Sequence, residues 1–246
     1  MTVGSLFAGI GGFDLGFTRA GFTVSWQVEI DEWCRGILSR HFPNAERYAD
    51  IRDTGAHNLA PVDVICGGFP CQPFSSAGKR GGAEDDRYLW PEMCRVIREV
   101  RPTWVVAENV HGLVVGDMAP VFEQVLFDLE DAGYDVQPFV IPACAVDAPH
   151  RRDRVWIVAH AQIVQRNGAR EAGPAGFRLQ AGGRGCEYGT AEWQPEPGVG
   201  RMDDGIPDQL AKLRALGNAV VPQIPELIAR MILETERIEA LRRLAA

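Results

Sequence analysis

Apolar residues gather in short runs at fairly even intervals along the chain, at residues 23–28, 62–66, 103–107, 136–141 and 155–159. Each run is rich in β-branched or aromatic residues and has the length of a buried strand. Between the runs the apolar positions fall near helical spacing, at residues 13–20, 32–41, 89–98 and 120–132. Strands that alternate with helices predict an α/β protein with a mainly parallel sheet. The alternation stops near His160. From there to about Gly205, Gly, Arg, Pro and Gln prevail, which predicts a loop-rich stretch or a small irregular subdomain. Order returns at residues 210–216 and in a helix over residues 226–244, where Ile228, Ile232 and Leu233 share a face. The chain thus divides into residues 1–160, 161–205 and 206–246.

Composition narrows the class. A chain of 246 residues that is 46% hydrophobic and 24% charged can bury a full core, and one large domain is expected. No apolar stretch has the length of a membrane span, and residues 1–10 lack the basic start and long apolar run of a secretory signal. Six cysteines without a CxxC pair and five histidines without ligand spacing predict neither a disulfide scaffold nor a metal site. These features fit a reducing cytoplasm. The net charge of −8 argues against a polyanionic partner until its distribution is considered. Seven arginines against Asp153 and Glu171 give residues 151–184 a charge of +5, leaving −13 on the rest. Such an island is either an anion-binding face or a solvated loop.

Two glycine-containing turns carry candidate chemistry. In Ser5-Leu6-Phe7-Ala8-Gly9-Ile10-Gly11-Gly12-Phe13, the glycines allow close backbone approach to a ligand or to a neighbouring strand. A dinucleotide fingerprint needs a third glycine at position 14, where Asp14 stands, so nicotinamide chemistry is disfavoured. Glu29 and Asp50 follow at successive strand ends, where open α/β sheets bind ligands. The second turn, Gly67-Gly68-Phe69-Pro70-Cys71-Gln72-Pro73-Phe74-Ser75, presents one cysteine after a strand. A thiol in such a turn is either reactive or packed, depending on its surroundings. Cys34, Cys66, Cys94 and Cys144 read as small buried hydrophobes. Lys79 and Arg80 follow Cys71 in a stretch suited to phosphate contacts.

The sequence resembles the cytosine C5 DNA methyltransferases. Residues 7–12 look like their cofactor loop and Pro70-Cys71-Gln72 like their nucleophile motif. Glu108-Asn109-Val110, His150-Arg151-Arg152-Asp153-Arg154 and Gly217-Asn218-Ala219-Val220-Val221-Pro222 follow in the family's order. One such tripeptide occurs by chance; five in order are specific. The resemblance covers the chain except for about residues 161–200. It implies a Rossmann-like class I S-adenosylmethionine-dependent methyltransferase fold with a short target-recognition region.

It also implies roles. Cys71 would add to C6 of a flipped-out cytosine in duplex DNA, Glu108 would hydrogen-bond or protonate N3, Asn109 would hold the geometry between the two loops, and Arg152 and Arg154 would orient Glu108, the thiolate or the target's sugar-phosphate. For S-adenosylmethionine, Phe7 would stack on adenine while Gly9, Gly11 and Gly12 admit the methionine part. Glu29 would take the ribose hydroxyls, Asp50 and Ile51 the adenine edge, and Pro70, Leu89, Asn218 and Val220 would line or close the pocket. Ile30 stands where an aromatic is common, and His150 where glutamine is usual. Ser75, Lys79, Arg80, Arg166, Arg170, Arg178 and Arg184 are the candidate DNA contacts, with Gln165 and Gln180 for adenine. A cognate restriction endonuclease is an implied partner, and a single chain is expected to act alone. Rival readings are a tRNA cytosine C5 methyltransferase, a catalytically silent DNA-binding relative and an NAD-dependent oxidoreductase.

Overall fold

Both faces of the central sheet are covered, which is why its strands read as nearly continuous apolar runs. The computed structural model describes residues 1–70, 88–162 and 215–245. The described elements run β1 (Thr2–Leu6), α1 (Gly12–Arg19), β2 (Thr23–Val28), α2 (Glu32–His41), β3 (Glu46–Tyr48), β4 (Val64–Gly68), α3 (Trp90–Val100), β5 (Trp104–Val110), α4 (Ala119–Asp131), β6 (Tyr134–Ile141), β7 (Arg154–Ala161) and α5 (Gln223–Ala245). Seven strands form one sheet in the order β3-β2-β1-β4-β5-β7-β6. All pair in parallel except β7, which is antiparallel to both β5 and β6.

Successive residues of β5 divide between two cores. Val105 and Ala107 join Trp90, Met93, Ile97 and Leu129 from α3 and α4 on one face. Trp104 and Val106 join Phe13 and Phe17 of α1 and Ile224, Ile228 and Ile232 of α5 on the other. Ile228 and Ile232 of the expected stripe are buried here and Leu233 packs partly against them, while Ile224 joins because the helix starts three residues earlier than expected, at Gln223.

β3 was absent from the expected strands. Its three residues, Glu46-Arg47-Tyr48, are polar or half-exposed and sit on the sheet edge, so they have no apolar run to betray them. The reversal of β7 has a physical reason too. Only a short segment with one 3-10 turn, Ala143–Val146, joins β6 to β7, and no full-length helix lies between them to support a parallel crossover.

The topology places the candidate residues together. The chain runs outward from β1 to β2 and β3 and then returns to β4 on the other side, so a crevice opens at the carboxyl ends of β1 and β4. Phe7–Gly11, Glu29, Asp50, Phe69-Pro70 and Glu108-Asn109 all follow or end strands at that edge. Because β7 is reversed, its first residue, Arg154, arrives at the same edge.

Candidate active site

The turn after β1 depends on left-handed backbone. Phe7, Gly9 and Gly11 have φ of 53°, 55° and 87°. At Gly9 a Cβ would meet nothing within 4 Å, so this turn faces open space. Gly12 meets the returning chain: a Cβ there would lie 2.8 Å from Val220 Cγ2 and 2.9 Å from the Val220 carbonyl oxygen. Gly12 and Val220, expected to border one ligand, are therefore packed against each other.

Glu29 closes the next position. Its carboxylate accepts from the Gly9 amide at 2.7 Å and from the Asp31 amide at 2.8 Å. Two acceptor positions remain for ligand hydroxyls, since a carboxylate offers about four. Ile30 is 69% exposed beside it. Asp50 caps the 3-10 turn Ile51–Asp53 by accepting from the Arg52 amide. Ile51 itself is buried in the core, so of this pair only Asp50 offers a side chain to a ligand.

Asp14, which breaks the dinucleotide fingerprint, has a structural task. It is fully buried, accepting from Gln27 Nε2 at 2.8 Å and from Ser5 Oγ at 3.2 Å, and thereby ties α1 to β1 and β2. Burial pushes its carboxyl up from 3.8 to about 6, against the pull of the Gln27 and Ser5 hydrogen bonds. The folded value lies above the unfolded one, so its contribution to stability is present below about pH 4 and is lost as the pH rises to about 6. Asp14→Asn keeps an acceptor for Gln27 and a donor for Ser5 while removing the buried charge. Urea unfolding at pH 8 is expected to show the variant more stable by up to about 3 kcal/mol, with a flatter dependence between pH 4 and 6. Lower stability than the parent at pH 8 would contradict this account.

Gly67 and Gly68 bring β4 close to its neighbours. A Cβ on Gly67 would lie 2.5 Å from the Leu6 carbonyl oxygen, and one on Gly68 would lie 3.1 Å from Glu108 Oε2. The Glu108 carboxylate therefore rests over the Gly68 backbone. It is only 8% exposed, and Arg154 Nε contacts its Oε1 at 3.0 Å. Burial pushes its carboxyl up from 4.5 to about 7, with the charges of Arg154 and then Arg152 pulling it down. Asn109 donates from Nδ2 to the Phe69 carbonyl at 2.9 Å, and its Oδ1 accepts from the Val110 amide at 2.8 Å. The β5 turn is thus bonded to the chain two residues before Cys71. Leu89 donates to the Pro70 carbonyl at 3.4 Å, so the flanks of residues 71–87 lie side by side.

The paired arginines do different things. Arg154 opens β7 and sits on Glu108. Arg152 precedes the strand with a φ of 36°, and its Nη2 donates to the carbonyls of Gly217 and Ala219, each at 2.8 Å. It clasps the last motif to the site. Asn218 ends an exposed helical turn between those carbonyls. His150 is half-buried, and its Nδ1 is enclosed without a hydrogen-bond partner.

Cys71, Ser75, Lys79, Arg80, Arg166, Arg170, Arg178 and Arg184 lie outside the described residues, as do Gln165 and Gln180. Cys34, Cys66 and Cys94 are buried. Burial pushes the Cys34 thiol up to about 12, that of Cys66 well above its usual value and that of Cys94 upward, so each is held protonated. No helix among the described residues is long and apolar enough to cross a membrane.

A sheet of this order, with its penultimate strand reversed and a glycine turn beside an acidic residue after β2, is the Rossmann-like fold of S-adenosylmethionine-dependent methyltransferases. The family model for C-5 cytosine-specific DNA methylase matches residues 1–176, and the chain belongs to that family. Type II methyltransferase M.PspPI of Psychrobacter sp. is 40% identical over 157 residues, which are 62% of this chain and 38% of that protein. M.HpaII of Haemophilus parainfluenzae is 38% identical over 158 residues, covering 62% and 44%. A putative DNA modification methyltransferase encoded within an E. coli prophage superposes with a TM-score of 0.57 at 28% identity, covering 68% of this chain and 49% of that one. The chain spans about half or less of the length of these relatives.

Proposed function

We propose that this chain transfers a methyl group from S-adenosylmethionine to C5 of a cytosine flipped out of duplex DNA. The observation that carries the reading is the Glu108–Arg154 pair, buried at the end of β5 and tied through Asn109 to the chain entering Cys71. C5 of cytosine is too weak a nucleophile to take a methyl group unaided. In this reading the Cys71 thiolate adds to C6, and a proton from the Glu108 carboxyl to N3 accepts the displaced electron density. A carboxyl held near pH 7 by burial is suited to that donation. Arg154 fixes the Glu108 carboxyl plane, and Arg152 keeps the last motif against the glycine turn.

When bound, S-adenosylmethionine supplies an electrophilic methyl carbon on its sulfonium. The residues available suit it: an open turn at Gly9, free acceptor capacity on Glu29, and the amino end of α1 for a carboxylate. Phe7 and Asp50 flank the adenine end in this assignment. After methylation water takes the C5 proton, the C–H electrons reform the C5–C6 double bond as the Cys71 thiolate departs, and N3 returns its proton to Glu108. Residues 161–205 are assigned to target recognition, with the arginines at 166, 170, 178 and 184 as groove and phosphate contacts and Ser75, Lys79 and Arg80 closing on the flipped base. Kinship with Type II methyltransferases supports a role in restriction-modification, and in this reading a cognate endonuclease is the partner.

Nucleoside mass spectrometry after incubation with S-adenosylmethionine tests the reading. 5-Methylcytosine in unmethylated duplex DNA, and none in tRNA, is the expected result. Label in tRNA alone would replace DNA with RNA as substrate, and none in either would leave a silent binding protein.

A further inference from the structure

A second cluster of polar groups lies at the opposite edge of the sheet from Glu108. His160, near the end of β7, pairs in register with Trp104 on β5 and Asp135 on β6. Helix α5 passes over this edge and presents Glu236 and Glu239, whose spacing puts them on one helical face. One donor atom from each of His160, Glu236 and Glu239 lies within 4.8 Å of the others.

The histidine is the anomaly. It is 6% exposed, and its Nδ1 is enclosed with no hydrogen-bond partner. Its Nε2 points toward Glu236 Oε1 at 3.9 Å, too far for a hydrogen bond. The ring plane is set by Trp104, whose ring centroid is 4.2 Å away at 34°. Nε2 is therefore the nitrogen turned toward the two carboxylates, and no hydrogen bond to Glu236 occupies its lone pair, which is available to a ligand. Burial also lowers its affinity for a proton, which leaves a neutral imidazole, the form that ligates metals.

We propose that His160, Glu236 and Glu239 form a binding site for a first-row divalent cation of the Zn²⁺ type, which pins α5 to the far edge of the sheet. One imidazole nitrogen with two carboxylates suits such an ion, whereas Mg²⁺ and Ca²⁺ favour oxygen donors alone. Ligands about 2.0–2.2 Å from an ion lie somewhat closer together than these atoms do, a gap that rotamer changes of the two glutamates close. The carboxylates already have orienting partners. Trp104 Nε1 donates to Glu236 Oε1 at 2.9 Å, and Arg243 Nη2 to Glu239 Oε2 at 3.0 Å. Asp135 adds a third negative charge near His160 and Arg243 a single positive one, so the cluster is net acidic and a dication neutralises it. Water would fill the remaining coordination position.

The consequence reaches the candidate active site through α5. Its first turn packs on α1, where a Cβ on Gly16 would lie 2.5 Å from the Pro222 carbonyl oxygen and 2.8 Å from the Glu226 amide nitrogen. The segment just before it is the one that Arg152 clasps and Gly12 meets. An ion at the other half of the helix would hold that return path in place.

The test uses the full chain, stripped with a chelator and dialysed. Zn²⁺ titration is expected to show one equivalent bound, and a hundredfold excess over Kd to raise the Tm by about 5 °C or more. Co²⁺ should give visible d–d absorption without a thiolate charge-transfer band, which separates this site from the cysteines. Both signals should weaken at least about tenfold in His160→Asn and in Glu239→Gln, while Mg²⁺ leaves the Tm unchanged. If those variants do not fold, Glu236→Gln, on the more exposed carboxylate, carries the same expectation. No saturable Zn²⁺ binding below about 100 μM, binding unchanged in the variants, or a thiolate band would each overturn the proposal.

Discussion

Cys71→Ala is expected to abolish 5-methylcytosine formation, by at least about four orders of magnitude in kcat, while the variant still binds duplex DNA and S-adenosylmethionine. The size of the effect follows from the chemistry. Without addition at C6 the ring never becomes an enamine, and C5 has no adequate nucleophilicity of its own. Retention of binding follows from the fold. The Phe69 carbonyl is held by Asn109 and the Pro70 carbonyl by Leu89, neither through the cysteine side chain. A duplex carrying 5-fluorocytosine sharpens the measurement. Fluorine at C5 cannot leave as a proton does, so the parent should form a protein–DNA adduct that survives denaturation, and Cys71→Ala should form none. Methylation by the variant within tenfold of the parent would remove Cys71 from the mechanism.

Glu108→Gln should lower kcat/KM by about 10²- to 10⁴-fold, the range for loss of a positioned acid. Its pH dependence is the more telling result. The carboxyl is raised to about 7 chiefly by burial, so it carries a proton below that value and loses it above. The parent's activity should therefore fall as the pH rises through about 7. In Glu108→Gln the falling limb should vanish, because the amide has nothing to titrate. The stability contribution has the same sign: present below pH 4.5 and lost as the pH rises to about 7. A purely structural role would instead weaken DNA and S-adenosylmethionine binding together and leave the shape of the pH profile unaltered.

Much of the architecture was legible because covered strands and amphipathic helices leave periodic traces. The runs at 23–28, 62–66, 103–107, 136–141 and 155–159 became β2, β4, β5, β6 and β7 within a few residues at each end. β3 left no trace because a three-residue polar edge strand buries almost nothing. The direction of β7 was hidden since an apolar run has no polarity; the short connection before it carried that information. At the site, the order of Glu29, Asp50 and Glu108 along the chain was enough to set them at strand ends on one side of the sheet. The separate tasks of Arg152 and Arg154 were not legible, because nothing in their spacing shows the left-handed φ at Arg152 or its bonds to the Gly217 and Ala219 carbonyls.

The sequence by itself determined the α/β class, the glycine turn, the motif order and hence the family, since these are properties of local spacing. Tertiary structure decided the protonation of the acids and the partners of the polar groups. Asp14 and Glu108 have raised pKa values only because the fold removes water from around them. His160 meets Glu236 and Glu239 only because α5 returns across the sheet edge, joining residues far apart in the chain. Desolvation and long-range contact are collective properties of the packed chain, and no window of sequence contains them.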